Sequence, residues 1–107
     1  MPKFGTTYIP SSDLRKWMEL WTWKDGSGQT CEGPNPPEAY AASAERKAFT
    51  VKYVSKDGTR HGEPNGDRCV CIKVIPGGER LLKYTQSGEV RRVRDSLIYE
   101  LNGYPVK

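Results

Sequence analysis

Lysine and arginine side chains crowd the stretch RLLKYTQSGEVRRVR, residues 80 to 94. Cations at strand spacing can neutralise phosphates along a polymer, a contact that asks for charge and reach rather than fine geometry. With Ser87-Gly88 as a two-residue turn, the stretch reads as a β-hairpin pairing Gln86 with Glu89, Tyr84 with Arg91, Lys83 with Arg92 and Leu82 with Val93. Alternation along each strand then puts Lys83, Arg92 and Arg94 on one face with Leu81, Thr85 and Val90. Leu82, Tyr84, Arg91 and Val93 take the other face, where Arg91 is the residue out of place. Arg80 and Lys73 are the cations expected to join the charged face from neighbouring positions. Tyr84 falls on the apolar side, so the charged face lacks the stacking platform common in sequence-tolerant single-strand binders. The plain alternative is that these cations are the solvated side of an antiparallel sheet and keep its edge from pairing.

A second set of residues has metal chemistry. Cys31, His61, Cys69 and Cys71 are all the cysteine and histidine of the chain, and Cys3His is a donor set that a structural zinc site can use. Their spacings, with 29, 7 and 1 intervening residues, match no common zinc module. Free cysteine also serves as a small buried filler, so the expectation is no metal and no cofactor. Cys69 and Cys71 precede no helix N-terminus that would lower a thiol pKa, which removes a thioredoxin-like role. His61, between Arg60 and Gly62 and close to an Asp-Gly turn, reads as an exposed loop residue. Glu63 and Asp67 sit in turn-forming sequence, where carboxylates are ordinary. With one histidine, no Gly-x-Ser-x-Gly elbow and no His-Glu-x-x-His helix, no catalytic constellation is visible, and a non-enzymatic chain is expected.

These residues need elements to position them. Leu14, Trp17, Met18 and Trp21 recur at i, i+3, i+4 and i+7, which predicts an amphipathic helix from Asp13 to Lys24 capped by Ser12 and ended by Gly26 or Gly28. Its tryptophans are expected to anchor it in a core. Residues 25 to 37, DGSGQTCEGPNPP, predict a connecting loop with no phosphate-cradling pattern, and Glu38 to Lys47 a short second helix begun at Pro36 or Pro37. From Phe49 the period becomes two. Phe49 to Val54 reads as a strand, Asp57-Gly58 as a turn, CVCIKVI (69 to 75) as a central strand covered on both faces, and Asn102-Gly103 as a last hairpin turn. The expected fold is α+β: two N-terminal helices over residues 1 to 47, then a strongly bent antiparallel meander of five to six strands over 48 to 107. A sheet of that size is similar in outline to SH3-like small barrels, a likeness of architecture that carries no function with it.

The chain has 107 residues and one domain is expected. Its net charge of +4 is unevenly spread. Residues 1 to 44 hold four cations and five anions, whereas residues 45 to 107 hold 13 and 8. A basic half attracts nucleic acid or acidic proteins, and it also serves solubility. Three cysteines without scaffold spacing, no signal-like apolar run and no transmembrane-length stretch predict a cytoplasmic protein without a membrane partner, and Pro2 excludes N-myristoylation. The expected function is a small binding domain whose basic sheet face takes an anionic partner, foremost a nucleic-acid backbone. The alternative is a protein-interaction module or inhibitor using the aromatic helix, the Gly/Pro loop or a strand edge.

Overall fold

A computed structural model describes residues 8–107; the readings of the amino terminus and of Pro2 lie outside them. A 3-10 turn at Ser11–Asp13 leads into α1, Leu14–Met18, and the helix stops there. The expected helix to Lys24 is therefore corrected: Trp21–Lys24 is strand β1. Neither end of α1 carries a side-chain cap, so Ser12 does not act as one. The sequence WTWK satisfies both periods, and its aromatic and β-branched residues favour the pleated alternative once partner strands exist. Two do. β2, Thr30–Gly33, pairs antiparallel with one edge of β1 (Trp23 opposite Cys31), and β3, Glu45–Arg46, pairs with the other (Trp21 opposite Arg46).

The expected loop at 25 to 37 is thus half a hairpin. Its turn is built on Asp25, whose Oδ1 accepts from the Ser27 hydroxyl at 2.6 Å, the Ser27 amide at 2.9 Å and the Gln29 amide at 3.1 Å. These bonds, the Ser27 hydroxyl foremost, hold the Asp25 carboxyl below its ordinary pKa. The expected second helix survives only as a 3-10 segment, Glu38–Ser43, before Ala44 turns extended into β3.

The tryptophans are not core anchors. Leu14 and Met18, four apart on α1, are buried, while Trp17 is 41% exposed and Trp21 and Trp23 are half-buried in the small sheet. Each buried aliphatic side chain contributes about 1.5–3 kcal/mol, so Leu14 and Met18 suffice to dock a helix this short.

The larger sheet comprises β4 (Phe49–Val54), β5 (Arg60–His61), β6 (Asp67–Ile75), β7 (Glu79–Tyr84), β8 (Val90–Arg94), β9 (Ile98–Leu101) and β10 (Tyr104–Pro105). Its order is β10-β9-β4-β6-β7-β8, with β5 beside the end of β4. The five- or six-strand meander is corrected to seven strands. After β8 a 3-10 turn, Asp95–Leu97, carries the chain across to lay β9 against β4. Among the described residues the sheet is antiparallel and does not close into a barrel. Phe49, Val51 and Tyr53 alternate inward as the two-residue period predicts, joined by Cys69, Cys71, Leu82, Val93, Ile98 and Leu101. Ile9, Leu14 and Met18 cover this face, and Ile9 forms a parallel bridge with Val106. Among the described residues no helix is long and apolar enough to cross a membrane.

Candidate anion-binding face of the sheet

The β7–β8 hairpin has a different register from the one the turn signal predicts. Lys83 faces Val90, Leu82 faces Arg91, Leu81 faces Arg92, Arg80 faces Val93 and Glu79 faces Arg94. The turn is a four-residue loop, Thr85 to Gly88, closed by the Tyr84 amide on the Glu89 carbonyl and the Gly88 amide on the Tyr84 carbonyl, both at 2.8 Å. Gly88 adopts φ +75° there, a conformation that costs glycine little. Because the slip is by two residues, no side chain changes sides. Lys83, Arg92 and Arg94 share the outer face; Leu82 and Val93 are buried on the inner one.

Lys73 reaches that outer face through a β-bulge. Strict alternation from Cys69 and Cys71 would send it inward. The register shifts at Ile72, Lys73 comes opposite Leu81, and the row Lys73–Leu81–Arg92 runs across three strands. Arg68 belongs to the same face, being one residue from the inward Cys69, and it is exposed. The same alternation that places Cys69 inward marks Arg68 as outward, but it lies outside the hairpin that carries the local charge signal.

Arg92 and Arg94 are 60% and 46% exposed, and both bind Glu79. Arg92 Nε donates to Oε1 at 2.5 Å and Arg94 Nη2 to Oε2 at 3.0 Å. The Glu79 side chain is only 8% exposed, and its carboxyl is held below the ordinary range, chiefly by the Arg92 hydrogen bond. On β6, β7 and β8 the outer face therefore carries Arg68, Lys73, Lys83, Arg92 and Arg94 against the single carboxylate of Glu79, a formal net charge of +4. Beyond the free edge of β8 lies a cleft of about 260 Å³, whose far wall, residues 53 to 56, brings Lys56 near the same carboxylate.

Arg80 is a correction. It sits on the inner side opposite Val93 and is fully buried. Its Nε and Nη2 donate to the two oxygens of Asp95 at 2.7 and 2.8 Å, and Nη1 donates to Glu19 at 3.1 Å and the Cys71 sulfur at 3.6 Å. Burial works against the charge, but the bonds and charge of Asp95 outweigh it and raise the guanidinium pKa. Arg80 ties α1, β7 and the turn after β8 together and is absent from the outer face. Arg91, the cation on the apolar side, stays exposed because β8 is an edge strand, and it pairs with Glu89 at 3.1 Å.

The cysteine and histidine set does not assemble. Cys69 and Cys71 are buried on the inner face, where burial, with Asp67 nearby, pushes the Cys69 thiol up to about 12. Cys31 lies on β2 near Asp25, at 3.8 Å. His61 is half-buried rather than a loose loop residue, its ring stacked on Tyr53 with centroids 4.8 Å apart. Among the described residues no three His, Cys, Asp or Glu side chains are grouped to hold a metal ion. Glu63 accepts from the Tyr99 hydroxyl and pairs with Lys52, a surface link between the β5–β6 turn and β9. Compared with protein-family models, with curated proteins and with solved structures, the chain matches none.

Proposed function

We propose that this chain is a non-enzymatic domain that holds the phosphate backbone of a nucleic acid against the outer face of β6, β7 and β8. The observation that carries the reading is the row structure of that face: five cations on three adjacent strands with one carboxylate among them. Neighbouring strands lie ~4.8 Å apart, so Lys73 and Arg92 stand roughly 10 Å from each other, within reach of successive phosphates for side chains of that length. The interspersed Val70, Leu81 and Val90 offer no hydrogen bonds to base edges, which favours backbone contact without sequence reading. The strand order β9-β4-β6-β7-β8, with a 3-10 turn between the last two in sequence, supports the likeness to SH3-like small barrels, here left open between β8 and the end of β4.

Fluorescence anisotropy with labelled duplex and single-stranded oligonucleotides tests this. Four phosphate contacts predict a log–log salt slope of about −3.6 for duplex. Lys73→Glu with Lys83→Glu, at two exposed positions, should abolish binding while leaving the thermal transition in place; unchanged affinity in that folded variant overturns the proposal. A second reading, an interaction module, draws on exposed Trp17 and the free edge of β8. It would prevail if a polypeptide partner were retained at high salt and lost in Trp17→Ala.

A further inference from the structure

Among the described residues the outer face of β6, β7 and β8 has no aromatic side chain, but the structure places one with cations elsewhere. Trp21 and Arg46 are cross-strand partners on β1 and β3, and the Arg46 guanidinium carbon lies 4.1 Å from the centre of the Trp21 ring. Its Nη1 donates to the Glu19 carbonyl at 3.3 Å, which fixes the guanidinium over the indole. Gly33 faces Trp21 from β2, and the Trp23 ring lies over it, 3.3 Å from where a Cβ would stand, so the two indoles sit side by side on this sheet. Trp21 and Arg46 border an open cleft of about 450 Å³, whose opposite wall is α1 with Arg15 and Lys16. That volume falls within the ~300–1,000 Å³ of small-ligand sites. Glu19, the carboxylate among the described residues lining the cleft, faces Arg15 and the buried Arg80, and Lys16 pairs with Asp13 at 3.5 Å; the Arg15 and Lys16 side chains nonetheless stay 70% and 78% exposed, where such surface pairs exchange readily with a phosphate.

We infer that this cleft between α1 and the small sheet is a base-stacking site for single-stranded nucleic acid, with an unpaired base against Trp21 and Arg46 and its phosphates on Arg15 and Lys16. A planar π surface backed by a guanidinium suits a nucleobase of any sequence, and cations along the rim suit the backbone on either side of it. The inference rests on the nucleic-acid reading of the outer face and adds to it a preference for single strands.

The test compares a 12-nucleotide single strand, an abasic strand of equal length and phosphate count, and the matching duplex, at one salt concentration. Tryptophan fluorescence and anisotropy are both followed. The base-bearing strand should quench tryptophan emission and bind roughly 5- to 150-fold tighter than the abasic one, the range expected for one stacked base. Arg46→Ala should erase that difference, so that base-bearing and abasic strands bind the variant alike. Trp21→Leu should do the same, with Arg46→Ala as the variant of record if the small sheet fails to form. Equal affinity for base-bearing and abasic strands, or a difference that persists in Arg46→Ala, overturns the stacking site. In either of those cases binding that Lys73→Glu with Lys83→Glu abolishes leaves the outer-face reading standing. No binding of any strand sinks both.

Discussion

Replacing Arg80 by methionine isolates what its buried guanidinium does. Methionine keeps much of the aliphatic volume but removes the donors that satisfy Asp95 twice, Glu19 once and the Cys71 sulfur. Removing one partner of a buried ion pair costs about 3–5 kcal/mol, because the remaining charges stay desolvated. Here the Asp95 and Glu19 side chains retain 24% and 25% exposure and can rehydrate in part, which puts the loss near the bottom of that range, about 3 kcal/mol. With ~2.1 cal/mol/K of unfolding entropy per residue, a chain of 107 residues should lose about 13 °C in its thermal midpoint. Urea unfolding followed by tryptophan fluorescence measures the free energy directly, and Arg80→Lys should fall between the two because it keeps the charge without the fork. Adding Asp95→Asn to Arg80→Met should cost less than the sum of the single changes, with a coupling of about 1 kcal/mol or more. Anion affinity of the folded Arg80→Met protein should match the parent, as the residue has no outer-face exposure. A stability loss under about 1 kcal/mol, or additive singles, would refute the assignment of Arg80 as the tie between α1, β7 and the turn after β8.

Local geometry gives three further expected outcomes. Gly62 has φ +94°, and a Cβ there would lie 2.4 Å from the Val51 carbonyl oxygen, so Gly62→Ala should cost ~2 kcal/mol or more by urea unfolding. Gly58→Ala, with φ +87° but open space around it, should cost ~1 kcal/mol, and equal losses would show that the contact is not what matters. Glu79 has its folded pKa lowered by Arg92, so its contribution to stability is full above its ordinary value of 4.5 and is lost as pH falls through the folded value. Glu79→Gln should flatten that part of the acid limb in stability measured from pH 6 to 3; an unchanged acid limb would count against the Glu79 clamp.

What could be read from the sequence divides along local and non-local lines. Phe49, Val51 and Tyr53 announced their strand, and Asn102-Gly103 its turn, because alternation and turn chemistry act within a few residues. The sides taken by Lys83, Arg92 and Arg94 were legible even though the register was not, since an error of two residues preserves parity. WTWK fits a helix face by spacing, and the partners that decide against helix are β2, inside the Gly/Pro-rich segment that reads as a loop, and β3, far along the chain. Lys73 faces outward by virtue of a bulge that nothing in CVCIKVI signals. Arg80 was assigned to the charged face by proximity, although its parity with Leu82 already pointed inward; its carboxylate partners, Glu19 and Asp95, come from distant segments that only the folded chain brings together.

The Glu79 clamp also acts as a tethered competitor. Any anion that reaches Arg92 and Arg94 must displace a carboxylate covalently attached to the neighbouring strand, present at an effective concentration on the order of millimolar or above. A ligand with one charge gains little by the exchange, because it gives up its own hydration for contacts the protein already makes internally. A polyanion that meets Arg68, Lys73 and Lys83 at the same time gains contacts that Glu79 cannot offer. On the proposed reading, the same carboxylate that neutralises part of the face would set a valence threshold for ligands, favouring chains of charge over single ions.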